Sequence, residues 1–279
     1  MSRDPNLVSV IIPCYNHGEF LGTSIDSILS QTYQEFEIII VDDGSDDEET
    51  LKILKNIDTP KTTVYHKENG GVASARNFGI ERSSGQVILT LDSDDMFAPT
   101  FIEKGLAIVK KDSAIGMVTS YVRRTKGENS SDFQLTGGDV KDFLVKNHAN
   151  ASLMFRYQCW EEAGGYDEEI RGFEDWEFFI NVTKRGWSVY SIPEYLFYYR
   201  DVEGSMYDRV IEYRPELIRH MVEKHEEAFK DHVTTVVYHK ERYIKELNDK
   251  LNQLKNSKSM KIGNTVLKPF NLIKKAVFK

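Results

Sequence analysis

Three groups of carboxylates have the spacing to do chemistry. Asp42 and Asp43 follow an apolar run, Phe36–Val41. Asp92-Ser93-Asp94 follows a second one, Val87–Leu91. Glu174-Asp175-Trp176 opens a helical pattern that runs to Arg185. Carboxylates packed together repel one another unless a cation or hydrogen-bond donors offset the charge. In an extended segment, residues two apart project to one side, so Asp92 and Asp94 can share one hard cation. Mg²⁺ or Mn²⁺ suits such oxygen ligands, with substrate phosphate and water completing the shell. A solvated acidic turn is the competing reading. A carboxylate at a helix start is stabilised by the positive end of the helix dipole. Asp175 is therefore expected to stay ionised and ready to accept a proton, although acids are also ordinary first-turn residues.

A fourth group is basic and glycine-rich. Asn69-Gly70-Gly71 turns into a helix that carries Arg76 one turn in. A helix start offers free N–H groups to phosphate, and Arg76 can add a bidentate contact. A plain loop with a surface arginine fits the same residues.

The elements that must position these groups read as alternating strands and helices. Leu7–Pro13, Phe36–Val41, Thr63–His66 and Val87–Leu91 are strand-length runs. Helical patterns cover Phe20–Ser30, Leu51–Ile57, Ala73–Arg82 and Pro99–Lys111. Strands apolar throughout, separated by helices, argue for a parallel sheet covered on both faces. Such sheets bind ligands beyond the carboxyl ends of their strands, where both aspartate groups lie. Ile115–Tyr121, Ser152–Arg156 and Val189–Arg200 read as further strands, and Thr125–Gly138 as a loop.

Composition narrows the function class. The 279 residues are 40% hydrophobic and 29% charged, with a net charge of −8. That is ordinary for a soluble globular protein and argues against a nucleic-acid partner, which needs basic surface. Seven lysines and no acid lie between Lys255 and Lys279, so the chain before them carries −15. Only Cys14 and Cys159 are present. With no signal-like apolar segment after Met1, reduced thiols and a cytoplasmic setting are expected.

Taken in order, the motifs resemble one family. Val8-Ser9-Val10-Ile11-Ile12-Pro13-Cys14-Tyr15-Asn16, Val41-Asp42-Asp43-Gly44-Ser45, Asn69-Gly70-Gly71 with Ala75-Arg76-Asn77, Leu91-Asp92-Ser93-Asp94-Asp95, Gly164-Gly165-Tyr166-Asp167-Glu168 and Glu174-Asp175-Trp176 look like family 2 glycosyltransferases. The resemblance covers roughly residues 7–200. It implies inverting chemistry on a GT-A fold, a Rossmann-like, mostly parallel sheet with helices on both faces. By that resemblance Pro13, Tyr15 and Asp43 hold the nucleotide base, usually uracil. Arg76 lies near the uridine and pyrophosphate. Asp94 is the better metal ligand, with Asp92 facing metal, ribose or donor sugar. Asp175 is the general base, and Glu174 and Trp176 line the acceptor side. One departure stands out: Val202 occupies the place where the family often carries a histidine near the diphosphate. Arg200, Asp201 or a water are the candidate replacements.

The expected reaction moves a hexose or N-acetylhexosamine from a nucleotide sugar, UDP-linked by resemblance, to a hydroxyl of a growing glycan or lipid-linked acceptor. A nucleotidyltransferase and a catalytically idle binding subunit are the rival classes. The expected organisation is a GT-A domain over 1–207, a helical extension over 208–256 and a basic tail over 257–279. Ile244, Leu247, Leu251 and Leu254 follow a 3-4-3 spacing, which suits a coiled-coil or docking helix and a homo-oligomer. His225, His232 and His239, spaced by seven, suggest a shared helix stripe. The tail mixes apolar residues with lysines around Pro269, which suits peripheral contact with anionic lipid on the inner membrane face.

Overall fold

The computed structural model describes residues 3–125, 132–201 and 210–260. The chain divides into two compact units, Met1–Asp231 and His232–Lys279. The division lies later than the boundary expected near Tyr207, which itself falls outside the described residues. Val202 and residues 261–279 of the tail also lie outside them.

The first unit begins with strands β1 (Asp4–Cys14), β2 (Phe36–Asp42), β3 (Thr62–His66) and β4 (Gly85–Thr90). Helices α1 (Gly18–Leu29), α2 (Glu48–Lys55) and α3 (Val72–Glu81) connect them. All four strands run parallel, in the order β3-β2-β1-β4. From Val8 to Cys14 every residue of β1 is buried, the pattern of a strand covered on both faces. In α1, Leu21, Ser24, Ile25 and Ile28 are buried at helical spacing. In α3, Gly79 lets the helix lie directly on β1: a Cβ there would sit 2.6 Å from Ile11 Cγ2.

The remainder extends the sheet with mixed polarity. After the two-residue β5 (Met96–Phe97) come α4 (Phe101–Lys111) and β6 (Ile115–Arg124). Next are β7 (Gly137–Gly138), α5 (Val140–Val145), β8 (Met154–Arg156) and α6 (Tyr157–Ala163). Helix α7 (Glu174–Thr183) and β9 (Ser188–Tyr199) follow. Short β8 is antiparallel to both β4 and β6, whereas β6 and β9 are parallel. Part of the expected loop before Gly138 thus joins the sheet through β7, which pairs with β9. Because β2 and β4 lie on opposite sides of β1, the direction of winding reverses between β1 and β4. That reversal is where open α/β sheets form their binding crevice.

Two helices, α8 (Arg214–Lys224) and α9 (Glu226–Asp231), close the first unit. The second unit contains one long helix, α10 (Val233–Asn256). The histidine stripe is broken, because His225 caps the end of α8 and His232 the start of α10. Among the described residues no helix is long and apolar enough to cross a membrane.

Candidate active site

Strand β1 delivers Pro13 into the interior and leaves Tyr15, just past its end, 47% exposed. Asp42 and Asp43, at the end of β2, are both buried. Asp42 accepts the Ser45 N–H at 3.0 Å and lies 2.8 Å from His66 Nδ1. Burial acts to raise its pKa, but the contacts from Ser45 and His66 hold it below the usual carboxylate value. Asp43 takes three donors. Its Oδ1 accepts from Lys67 Nζ at 2.7 Å and Gly70 N at 3.0 Å, and its Oδ2 from Gly71 N at 2.7 Å. Two N–H groups expected to cradle phosphate are therefore used to latch the loop before α3 onto Asp43.

Arg76 also differs from expectation. It is 1% exposed. Its Nη1 donates to Glu174 Oε1 at 2.9 Å and its Nη2 to Asp92 Oδ1 at 2.7 Å. Burial alone would lower the guanidinium pKa, but Asp92 and Glu174 together raise it. A fork held by two carboxylates is not free to grip a diphosphate. Instead it joins the end of β4 to the start of α7, the latter contact spanning 98 residues of chain from Arg76 itself. Sequence spacing places Arg76 on α3 but says nothing about where α7 lands.

The aspartates after β4 differ in how well they are satisfied. The Asp92 side chain is 31% exposed and tied to Arg76. Burial, then the neighbouring Asp92, raises the pKa of Asp94, while His17 and Arg200 act the other way. Asp95 is buried and accepts the Arg200 N–H at 2.9 Å. Burial, with Asp94 and Asp92 beside it, pushes its carboxyl well above the usual value. Among the described residues no group of three or more His, Cys, Asp or Glu converges as a metal cage. The donor set still fits a divalent cation: Asp94, plus the Asp92 oxygen not used by Arg76, leaves positions for phosphate and water, as Mg²⁺ sites commonly do. Of the candidates for the missing histidine's role, Asp201 is committed to a two-pronged ion pair with Arg124. Arg200 donates from Nε to the Asp94 carbonyl at 2.9 Å.

The start of α7 is reached through a constrained turn. Gly172 and Phe173 have φ of 106° and 59°, and a non-glycine residue in that region costs about 1–3 kcal/mol. Asp175 Oδ2 accepts from Asn147 Nδ2 at 3.0 Å. Burial, then repulsion from Glu174, raises the Asp175 pKa from 3.8 to about 7. The expectation of a firmly ionised carboxylate is corrected: desolvation outweighs the helix start. A group poised near neutrality is well matched to taking a proton and giving it up.

Two residues assigned to the acceptor side sit elsewhere. Trp176 is 3% exposed and its indole N–H donates to the Phe143 carbonyl at 2.6 Å, which makes it core. Glu174 is buried against Arg76 rather than facing outward. A residue the motif reading passed over does more. Asn77 Oδ1 accepts from Tyr166 N at 2.8 Å and Trp160 Nε1 at 2.9 Å. Its Nδ2 donates to the Tyr166 carbonyl at 2.9 Å and Glu168 Oε1 at 2.8 Å. The only sequence signal was its place beside Arg76.

Comparison with known proteins bears on the family and the fold. Residues 9–165 match the model of Glycosyl transferase family 2. TuaG of Bacillus subtilis, assigned to teichuronic acid biosynthesis, is 30% identical over 204 residues, covering 72% of this chain and 81% of TuaG. Chondroitin synthase of Pasteurella multocida is 30% identical over 187 residues, 64% of this chain and 19% of that one. The chain spans at most 26% of the length of three of the curated relatives it matches. Residues 1–349 of S. aureus TarS, in complex with UDP-GlcNAc, superpose with a TM-score of 0.64 at 19% identity, covering 77% of this chain and 65% of that one. The fold is of the GT-A type, and the chain belongs to glycosyltransferase family 2.

Proposed function

We propose that this protein transfers a hexose or N-acetylhexosamine, with inversion, from a UDP-sugar to a hydroxyl of a glycan or lipid-linked glycan. The observation that carries the reading is the Arg76 bridge, 2.7 Å from Asp92 and 2.9 Å from Glu174. It ties the start of α7, whose Asp175 is poised near pH 7, to the strand end where a donor diphosphate would lie. The UDP-GlcNAc complex of TarS supports the choice of donor. The relatives in chondroitin and teichuronic acid synthesis support a glycan acceptor.

In this reading Pro13, Tyr15 and the latched Asp43 shape the base pocket at the ends of β1 and β2. Asp94, with one oxygen of Asp92, would hold Mg²⁺ or Mn²⁺, which neutralises charge on a leaving diphosphate. Asp175 accepts the proton of the acceptor hydroxyl as that oxygen bonds to the anomeric carbon and the bond to the diphosphate breaks. Asn147 fixes the orientation of Asp175. One displacement inverts the configuration, so no nucleophilic side chain is needed.

The test is UDP release from UDP-sugars with Mn²⁺ and a glycan acceptor. Asp175→Asn should reduce transfer by about 10²–10⁴-fold, the usual contribution of a positioned base, while donor affinity stays within about twofold. Wild-type turnover in that variant would remove Asp175 from the role. Release of pyrophosphate in place of UDP would reassign the protein to nucleotidyl transfer.

A further inference from the structure

Helix α10 has no buried residue. Val233, Val237, Ile244, Leu247, Leu251 and Leu254 are each 45–64% exposed. Their steps of four, seven, three, four and three keep to the 3.5-residue period of a coiled-coil seam. The helix is about 36 Å long at 1.5 Å per residue. It starts with Val233-Thr234-Thr235-Val236-Val237, five β-branched residues that favour helix weakly. In proteins most of a helix's stability comes from packing its apolar face rather than from intrinsic propensity, and this face is unpacked. The Arg242–Glu246 ion pair, at 3.1 Å, lies off the seam.

We infer that the α10 seam pairs with α10 of a second copy of this chain, in antiparallel orientation. The flanking charges choose both the occupant and the direction. Antiparallel pairing sets Ile244 opposite the partner's Leu254 and Leu247 opposite the partner's Leu251. By two-fold symmetry each contact occurs twice, so eight aliphatic side chains meet in four layers. The same register puts Glu241 beside the partner's Lys255, again twice, and Asn248 beside the partner's Asn248. Lys250 approaches the partner's Lys250 once, at the axis, where the long stems carry both ammonium groups outward. Parallel pairing would add layers of Val233 and Val237 but no flanking pair of opposite charge. It would place Lys250 beside the partner's Lys255 on both flanks and stack Lys240 on the partner's Lys240 within the seam. Flanking charges of this kind set orientation in coiled coils.

Sedimentation velocity of the full chain from 1 to 100 µM tests the pairing. The expected species has twice the 32.2 kDa chain mass. Leu247→Glu combined with Leu251→Glu should raise the dimer dissociation constant by at least 100-fold, with metal-dependent donor hydrolysis within twofold. Cys14 and Cys159 are buried, so introduced thiols report orientation. A mixture of Leu247→Cys and Leu251→Cys chains should cross-link on mild oxidation, and Leu247→Cys alone should not. A monomer throughout the range overturns the proposal, including one whose α10 amides are protected from hydrogen exchange by the chain's own first unit. So does a dimer that survives the double glutamate variant, or a cross-link between two Leu247→Cys chains.

Discussion

Replacing Arg76 with glutamine isolates the bridge at the centre of the site. Glutamine keeps a polar stem but removes the charge shared by Asp92 and Glu174. The Glu174 side chain is only 7% exposed, and an acid left without its buried partner destabilises a fold by about 3–5 kcal/mol. A second effect falls on Asp175. Arg76 lowers the Asp175 pKa while Glu174 raises it, so the variant loses the first influence and strengthens the second. A loss of ~1.4 kcal/mol of attraction moves a pKa by one unit. Starting near 7, that unit takes the ionised fraction at pH 7 from about one half to about one eleventh, a roughly fivefold loss of active base. The assay is kcat/KM for UDP release between pH 5.5 and 9, alongside thermal unfolding. The midpoint of the rise should move up by at least about one unit, with most of the lost rate recovered near pH 9. A folded variant whose midpoint stays in place would refute the coupling of Arg76 to the base.

Three further outcomes follow from the same geometry. The Asp175 carboxyl stands near 7 in the fold against 3.8 when unperturbed, so its favourable contribution is complete below about pH 4 and is lost as pH rises through 7. Asp175→Asn should therefore unfold later than wild type at pH 8, by a few kcal/mol at most, and the gap should close below about pH 4 in urea titrations. Asn77→Ala removes four hydrogen bonds and leaves buried backbone groups of Tyr166 unmet; a loss of about 3 kcal/mol should lower Tm by ~6–12 °C. Trp176→Phe should cost about 2 kcal/mol, by orphaning the Phe143 carbonyl, and leave the acceptor KM within twofold; a shifted KM without a stability change would return Trp176 to the acceptor side.

The parallel half of the sheet was legible because β1, β2 and β4 are apolar on both faces, which only a doubly covered strand requires. The antiparallel insertion of β8 was not, since three residues carry no signal of the strands they will join. The aspartate groups were legible as chemistry because a strand precedes each. Their partners were not. Asp43 satisfies itself from a loop 24 to 28 residues on, and Arg76 from a helix much further away. Trp176 shows the same limit in reverse: an aromatic beside two acids at a helix start looks outward in sequence, and only the carbonyl of Phe143 reveals that it turns in.

The separation of Arg76 from Glu174 also bears on how the molecule is made. A ribosome adds roughly 5–20 residues each second, so the 98 residues between them take about 5–20 s to emerge. Once β4 has emerged, and until Glu174 does, a nascent chain has the first four strands but not the second acid that Arg76 is buried against. The matched segment, residues 9–165, ends inside this window and lacks Glu174. A fragment cut there would leave the Arg76 guanidinium with Asp92 alone, so the full set of contacts around it requires a chain that extends into α7.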